Sequence, residues 1–246
     1  MSFNSILKPI QRYVLPIVII GFIAIPVMGQ TSSTSNVLIV GGGSAHDFDR
    51  WFNLEDSKII AETGAFVRYT DQPENVGPLL PQLDILYLSN NQPLPNTKEF
   101  RNSMFNFVES GNGLLLVHAP TWYNWSDWPE YNRELVGGGT RSHEEYGEFE
   151  VEVVATDHPI MKSVPSSFSI VDELYHFQPD DSAKEINVLA KGIVPGNGEE
   201  YPIAWTLKHG DGRIVAITLG HDAKAHYHYA YRTILKNSIE WLNANN

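Results

Sequence analysis

Residues 111–120 read GNGLLLVHAP, and the five positions from Gly113 to Val117 decide the fold. A glycine followed only by apolar residues, with no polar alternation, is the pattern of a strand buried on both faces in a parallel sheet. A strong helix signal precedes it: Asn96 as N-cap, Glu99 three residues on, Phe100, Met104, Phe107 and Val108 along one face, and Gly111 as the stop. Further upstream, Val37 to Val40, Phe66 to Tyr69 and Ile85 to Leu88 read as strands, with a helix between Trp51 and Thr63. Strands alternating with helices predict a three-layer α/β sandwich around a mostly parallel central sheet. Downstream the pattern changes. Glu148 to Val153 alternates strictly, placing Glu148, Glu150 and Glu152 outward. Ile186 to Ala190, Ile203 to Leu207 and Ile214 to Leu219 add further strands, and a C-terminal helix turns Tyr231, Ile234, Leu235, Ile239 and Leu242 inward.

The 246 residues, 42% of them hydrophobic, supply one sizeable core or two small ones. No linker demands a second domain, so residues 30–246 are expected to form one. Acidic residues outnumber basic ones 29 to 17, for a net charge of -12, which repels a phosphate backbone and argues against nucleic-acid binding. With no cysteine in the chain, disulfides, thiolate metal ligands and cysteine nucleophiles are excluded. Residues 1–29 carry Lys8 and Arg12, no acid, and the apolar run Tyr13 to Met28, with Val27 and Gly29 placed for cleavage before Gln30. That order is expected of a secretory signal, giving a periplasmic or secreted chain without stable membrane insertion. An uncleaved N-terminal anchor is the alternative.

Sites in open α/β sheets lie beyond the C-terminal ends of the parallel strands. Three such ends deliver an imidazole each: His46 after the first strand, His118 after Val117, and His221 after Leu219 and Gly220. His143, in the loop Thr140 to Tyr146, is a fourth candidate. Clustered imidazoles serve proton transfer or metal coordination. Glu173, in the run Asp172 to Tyr175, can join them as general base or fourth ligand. Zinc suits neutral imidazoles plus one carboxylate, with manganese and iron as alternatives. Glu173 is expected as the base and His118 as the residue nearest the reacting carbon, with His46 and His221 as ligands or electrostatic stabilisers. Trp122, Tyr123, Trp125, Trp128 and Tyr131 crowd the segment after His118. The polar residues among them favour a pocket wall that stacks on a sugar, with Tyr175 as an added phenol. The turn Gly41 to Gly43 lacks the third glycine of a dinucleotide fingerprint, and NAD is not expected.

Taken together, the His46 loop, GNGLLLVHAP, RSHEEYGEFEVEV (141–153), TDHPI (156–160), VDELYHF (171–177), PIAW (202–205) and ITLGHD (217–222) resemble the ThuA-like (trehalose utilisation) family. Its fold is similar to the flavodoxin-like, class I glutamine amidotransferase-like sandwich with additional β-strands. Amidotransferases place a cysteine on the turn where this chain has His118, so glutamine hydrolysis is excluded. The resemblance implies carbohydrate catabolism involving disaccharides and 3-keto-sugar intermediates, and it brings Trp205 and Asp222 in as substrate-binding candidates.

Three functions remain open on the sequence. The first is an exported enzyme that eliminates or hydrolyses at the anomeric carbon of a glycoside or its 3-keto derivative. A 3-keto group acidifies the neighbouring C2 proton, which a Glu or His base removes while a metal or imidazolium stabilises the enolate. The second is a non-catalytic sugar-binding module; the third is a structural or partner-binding domain. The expected ligand is a small carbohydrate, and a homo-oligomer is compatible with the sequence.

Overall fold

A computed structural model of the chain describes Met1 and residues 34–244. The chain divides into two units, Met1–Ser33 and Thr34–Asn246, and the elements named here belong to the second. The expected leader, with Lys8, Arg12, the run Tyr13 to Met28 and the junction before Gln30, lies outside the described residues. No helix among the described residues is long and apolar enough to cross a membrane.

Eleven strands follow in order: β1 (Asn36–Val40), β2 (Phe66–Thr70), β3 (Ile85–Leu88), β4 (Gly113–Val117), β5 (Gly138–His143), β6 (Gly147–Val153), β7 (Ser167–Asp172), β8 (Tyr175–Pro179), β9 (Asn187–Ile193), β10 (Glu200–His209) and β11 (Gly212–Ile217). Nine form one sheet in the order β2-β1-β3-β4-β11-β10-β9-β6-β7, while β5 and β8 make a separate antiparallel ribbon. From β2 to β11 every pairing is parallel. From β11 to β7 every pairing is antiparallel. The result is a mixed α/β sandwich in which extra strands extend the parallel sheet.

Side-chain alternation divides the core into two layers. Val37, Ile39, Ile85, Tyr87, Leu115, Val117, Val215 and Ile217 face one side, where Phe52, Ile59 and Ile60 and the C-terminal helix Tyr229–Asn243 cover them. Leu38, Val40, Leu86, Leu88, Leu114, Leu116, Ile214 and Ala216 face the other, under the helix Lys98–Glu109. Burial on both faces explains why the central strands carry no polar alternation. On the half-exposed β6, by contrast, Glu148, Glu150 and Glu152 do point outward.

Two local expectations change. The cap of the helix Lys98–Glu109 is Thr97, whose side chain accepts from the Phe100 amide at 3.2 Å; Asn96 accepts from Arg101 instead. The helix expected between Trp51 and Thr63 begins earlier, as wide π-helical turns over Asp49–Asp56, and tightens into Ser57–Ala61. Strand β2 continues the sheet on one side of β1 and β3 on the other, so the connection reverses direction at β1. The crevice beyond that reversal is where ligands collect in open α/β sheets.

Candidate functional site

His118 ends β4 on a tight turn. Its φ of 63° with ψ of -107° lies outside the regions a side-chain-bearing residue normally occupies. The turn is held by His118 N–H donating to Ile217 O (2.7 Å) and by the Thr121 amide and hydroxyl donating to His118 O (3.1 and 2.8 Å). The ring is fully buried. Its Nδ1 lies 2.6 Å from Thr218 O, and a carbonyl only accepts, so Nδ1 carries the proton. The Nε2 lone pair therefore faces the crevice, where the Tyr175 hydroxyl donates to it at 2.8 Å.

His46 and His221 converge on the same point. The His46 ring centre is 4.6 Å from that of His118 and 4.9 Å from that of His221, and one ligating nitrogen from each of the three lies within 4.8 Å of the others. A tetrahedral zinc with bonds of about 2.0–2.1 Å needs donors about 3.4 Å apart, a gap that small ring rotations close. His46 Nδ1 is buried without a hydrogen-bond partner. Burial, reinforced by His118 and His221, pushes the His46 pKa down to about 3, so its ring is neutral at physiological pH and available as a ligand.

Glu173 supplies the negative charge. Its Oε2 is 3.6 Å from His118 Nε2 and 3.2 Å from His221 Nδ1, the latter without hydrogen-bond alignment. Oε1 is 3.9 Å from His143 Nδ1. Burial pushes the carboxyl pKa up, but His118 and His221 outweigh it and hold it well below the usual carboxylate range. The same contact, against the cost of burial, raises the pKa of His221. His143 donates from Nδ1 to Glu144 O at 2.6 Å, which leaves its Nε2 as a free acceptor.

The loop carrying His221 is gripped from below. Buried Asp172 accepts from Gly220 N at Oδ2 (2.8 Å), and from Glu173 N (2.7 Å) and His221 N (3.3 Å) at Oδ1. On the other side His226 Nε2 donates to Gly220 O at 3.1 Å, while its Nδ1 faces Asp56 Oδ1 at 2.7 Å. Neither Asp172 nor His226 was assigned a role from sequence. The strand-end rule locates loops, whereas these two act from beneath one.

Above the cluster lies a cavity of about 310 Å³ whose wall includes His46, Trp122, His143, Glu173, Tyr175 and His221. The Trp122 ring stands edge-on to Tyr175 at 5.3 Å and 6.0 Å from His143. His118 does not reach this wall. It lies beneath the floor, which corrects the expectation that it stands nearest the reacting carbon.

The other aromatic expectations are corrected too. Trp125 and Trp128 are core residues packed with Tyr131 and Leu135 under the second face of the sheet. Of the polar residues among them, Asp127 faces outward in a 2.5 Å ion pair with Arg101, while Asn124 lines the cavity and donates to Ala119 O at 2.7 Å. Tyr123 turns away from the cavity, donates to Asp180, and lies under the Arg141 guanidinium. Trp205 is fully buried, donates to Val136 O (2.9 Å) and stacks on Phe177 at 4.0 Å. Asp222 caps the turn Ala223–His226 and accepts from the Tyr146 hydroxyl at 2.8 Å, outside the cavity wall. Sequence reasoning also missed Asn91, which lines the cavity. It follows β3, so the strand-end rule that selected the histidines could have found it.

A β-strand turning sharply into a short helical element at the centre of a parallel sheet, with ligands gathered beyond the strand ends, defines the class I glutamine amidotransferase-like fold. Within that class the chain belongs to the ThuA family, described as trehalose utilisation, whose family model matches residues 36–242, and this membership gives it a carbohydrate-related role. Solved structures agree on the fold. A ThuA-like protein from Parabacteroides merdae superimposes with a TM-score of 0.73 at 19% identity, over 86% of this chain and 90% of that one. One from Bacteroides uniformis gives 0.72 at 21% identity, over 89% and 95%. A β-galactosidase from Bacillus circulans contains the same fold, with a TM-score of 0.58 at 11% identity over 86% of this chain and 31% of its own. No curated protein matches the chain in sequence.

Proposed function

We propose that the chain is an exported carbohydrate-processing enzyme acting on a glycoside or its 3-keto derivative, with its chemistry in the cavity over His46, His118 and His221. The convergence of three imidazoles within ligating distance, backed by one carboxylate, carries the reading. In it the three histidines hold a divalent metal, zinc before manganese or iron, and Glu173 balances the charge. A bound metal would act as a Lewis acid toward a substrate carbonyl.

Glu173 suits ligation better than proton abstraction, because its Oε2 is turned to the imidazoles, 3.6 Å from His118 Nε2 and 3.2 Å from His221 Nδ1. His143 is the better-placed base, since its free Nε2 belongs to a ring on the cavity wall. Removal of the C2 proton of a 3-keto-glycoside by His143 leaves an enolate and an imidazolium, and expulsion of the C1 substituent, which takes that proton from the imidazolium as it departs, completes the elimination and restores the base. Trp122 offers the apolar face on which a pyranose stacks. A cavity at the small end of the usual range of about 300–1,000 Å³ fits one sugar ring better than two.

The test combines metal content with turnover of a 4-nitrophenyl 3-keto-glucopyranoside. The wild-type protein should hold one zinc per chain and release nitrophenol. His46→Ala and His221→Ala should lose both properties while keeping the fold. Full turnover by either variant would refute the assignment.

A further inference from the structure

The glycine turn after β1, left without a role once dinucleotide binding is set aside, fits against the residues that follow β3. Gly42 and Gly43 have φ of +101° and +128°. A Cβ on Gly43 would collide with Asn91 Oδ1, and one on Gly42 with Gln92 Nε2. The turn is thus a slot into which two carboxamides are pressed. Gln92 locks the slot shut: its Nε2 donates to Gly41 O (2.9 Å) and Asp71 O (2.8 Å), and the Asn91 backbone N–H donates to Gly42 O (3.2 Å). Asn90 adds a bond from Nδ2 to Gln92 O at 3.0 Å.

Asn91 is held by these contacts without being satisfied by them. Its Oδ1 is buried against Gly43 and receives no hydrogen bond. Its Nδ2 has no acceptor among the described residues. Buried polar atoms without partners are rare, and each calls for an explanation. Asn91 belongs to the wall of the same cavity as Trp122 and Glu173, and with Oδ1 turned to the glycine, the NH₂ is the end left for the cavity. A carboxamide is a donor whose charge does not change with pH, unlike every imidazole around it.

We propose that Asn91 contacts the substrate directly, its Nδ2 donating to a hydroxyl or carbonyl oxygen of the sugar ring stacked on Trp122, and that the three-glycine turn fixes this donor's direction. The assignment rests on the reading of the cavity as a sugar site. It makes the glycine run a support for catalysis rather than a nucleotide motif.

Kinetics of zinc-loaded Asn91→Ala and Asn91→Asp on the 4-nitrophenyl 3-keto-glucopyranoside test it. Both should lose about 10²–10³-fold in kcat/KM, the cost of removing one donor to a charge-developing oxygen, with zinc affinity and melting temperature unchanged. A fall in kcat places the donor on the enolate oxygen; a rise in KM alone places it on a ground-state hydroxyl. Gly43→Ala, which displaces the carboxamide, should reproduce the loss, and if it fails to fold the two Asn91 variants decide. Turnover by Asn91→Ala within twofold of wild type overturns the inference and leaves the proposed function standing. If wild type binds the glycoside without turning it over, the enzymatic reading falls, and a tenfold or greater loss of binding in Asn91→Ala still upholds the contact, whereas equal binding overturns it. Absence of binding by wild type overturns both.

Discussion

Asp56 is the place where one substitution should do most damage to the fold. Its Oδ2 accepts from the hydroxyls of Tyr87 (2.6 Å) and Tyr231 (2.9 Å), its Oδ1 faces His226 Nδ1 at 2.7 Å, and all four side chains are fully buried. His226 uses its other nitrogen on Gly220 O, so both ring nitrogens point at acceptors, as in an imidazolium. Asp56→Ala strips a buried charge of its partner, at about 3–5 kcal/mol, and orphans two hydroxyls at about 1–3 kcal/mol each. These losses share one network and do not add; about 5 kcal/mol is expected. With a urea dependence of about 3 kcal/mol per molar, the unfolding midpoint should fall by about 1.5–2 M. Asp56→Asn is milder, at about 1–2 kcal/mol. Its carbonyl still serves the tyrosines, and its amide can donate to a neutral His226. Burial pushes the His226 pKa down, but Asp56 outweighs it, and the net value is raised. A raised folded value means that the pair's stabilisation is complete below the unfolded histidine pKa of about 6.5 and fades as pH climbs through the folded value. Wild type should therefore lose stability above about pH 6.5 relative to Asp56→Asn, which lacks that component. Urea unfolding followed by tryptophan fluorescence at about pH 6 and about pH 9 measures both effects. A wild-type midpoint in Asp56→Ala, or an undiminished pH slope in Asp56→Asn, would refute the reasoning.

Trp128→Ala should cost about 3–5 kcal/mol as a core truncation, whereas Trp122→Ala should leave the melting temperature nearly unchanged and weaken sugar binding; equal destabilisation of the two by calorimetry would contradict the division between core and cavity. Asp172→Asn turns one carboxylate oxygen into an NH₂ facing a backbone N–H, so zinc affinity should drop by about 10–100-fold, and a titration giving the wild-type affinity would show that the grip on the His221 loop is unimportant. Protein from the native host should begin at Gln30, and N-terminal sequencing that returns an intact Met1 in a cytoplasmic fraction would remove the export reading.

The centre of the parallel half, β1, β3, β4 and β11, was legible because these strands are buried on both sides, which leaves a signature that needs no context. Gly113 to Val117 matches β4 residue for residue. The ribbon of β5 and β8 was not, since GGTRSH and YHFQP have no apolar period and owe their strand form to each other. His46, His118 and His221 were found together through topology: parallel strand ends meet at one edge whatever their separation in sequence. Trp125 and Trp128 were misread for a related reason. Polar neighbours do mark a loop, but a loop lying against a sheet can bury every large ring it carries. Trp205 entered through the family resemblance, although it lies within β10 with its side chain fully buried. Nor did any local pattern distinguish Asn91, whose meaning depends on a glycine turn some fifty residues earlier.

The position of β11 bears on how the protein comes into being. This strand sits at the middle of the sheet, between β4 and β10, although it is among the last segments made. Its pairing with β4 joins residues a hundred apart, such as Gly113 and Arg213, and contacts of that range form slowly. A growing chain can zip β1 to β4 early, yet it exposes the open flank of β4 until the final stretch arrives. Insertion of β11 then closes the sheet and, in the same event, brings His221 to His118 and the Thr218 carbonyl to the His118 ring. An incomplete chain therefore lacks both the third imidazole and the contact that sets the tautomer of the second, so a partly made molecule has no assembled three-histidine cluster.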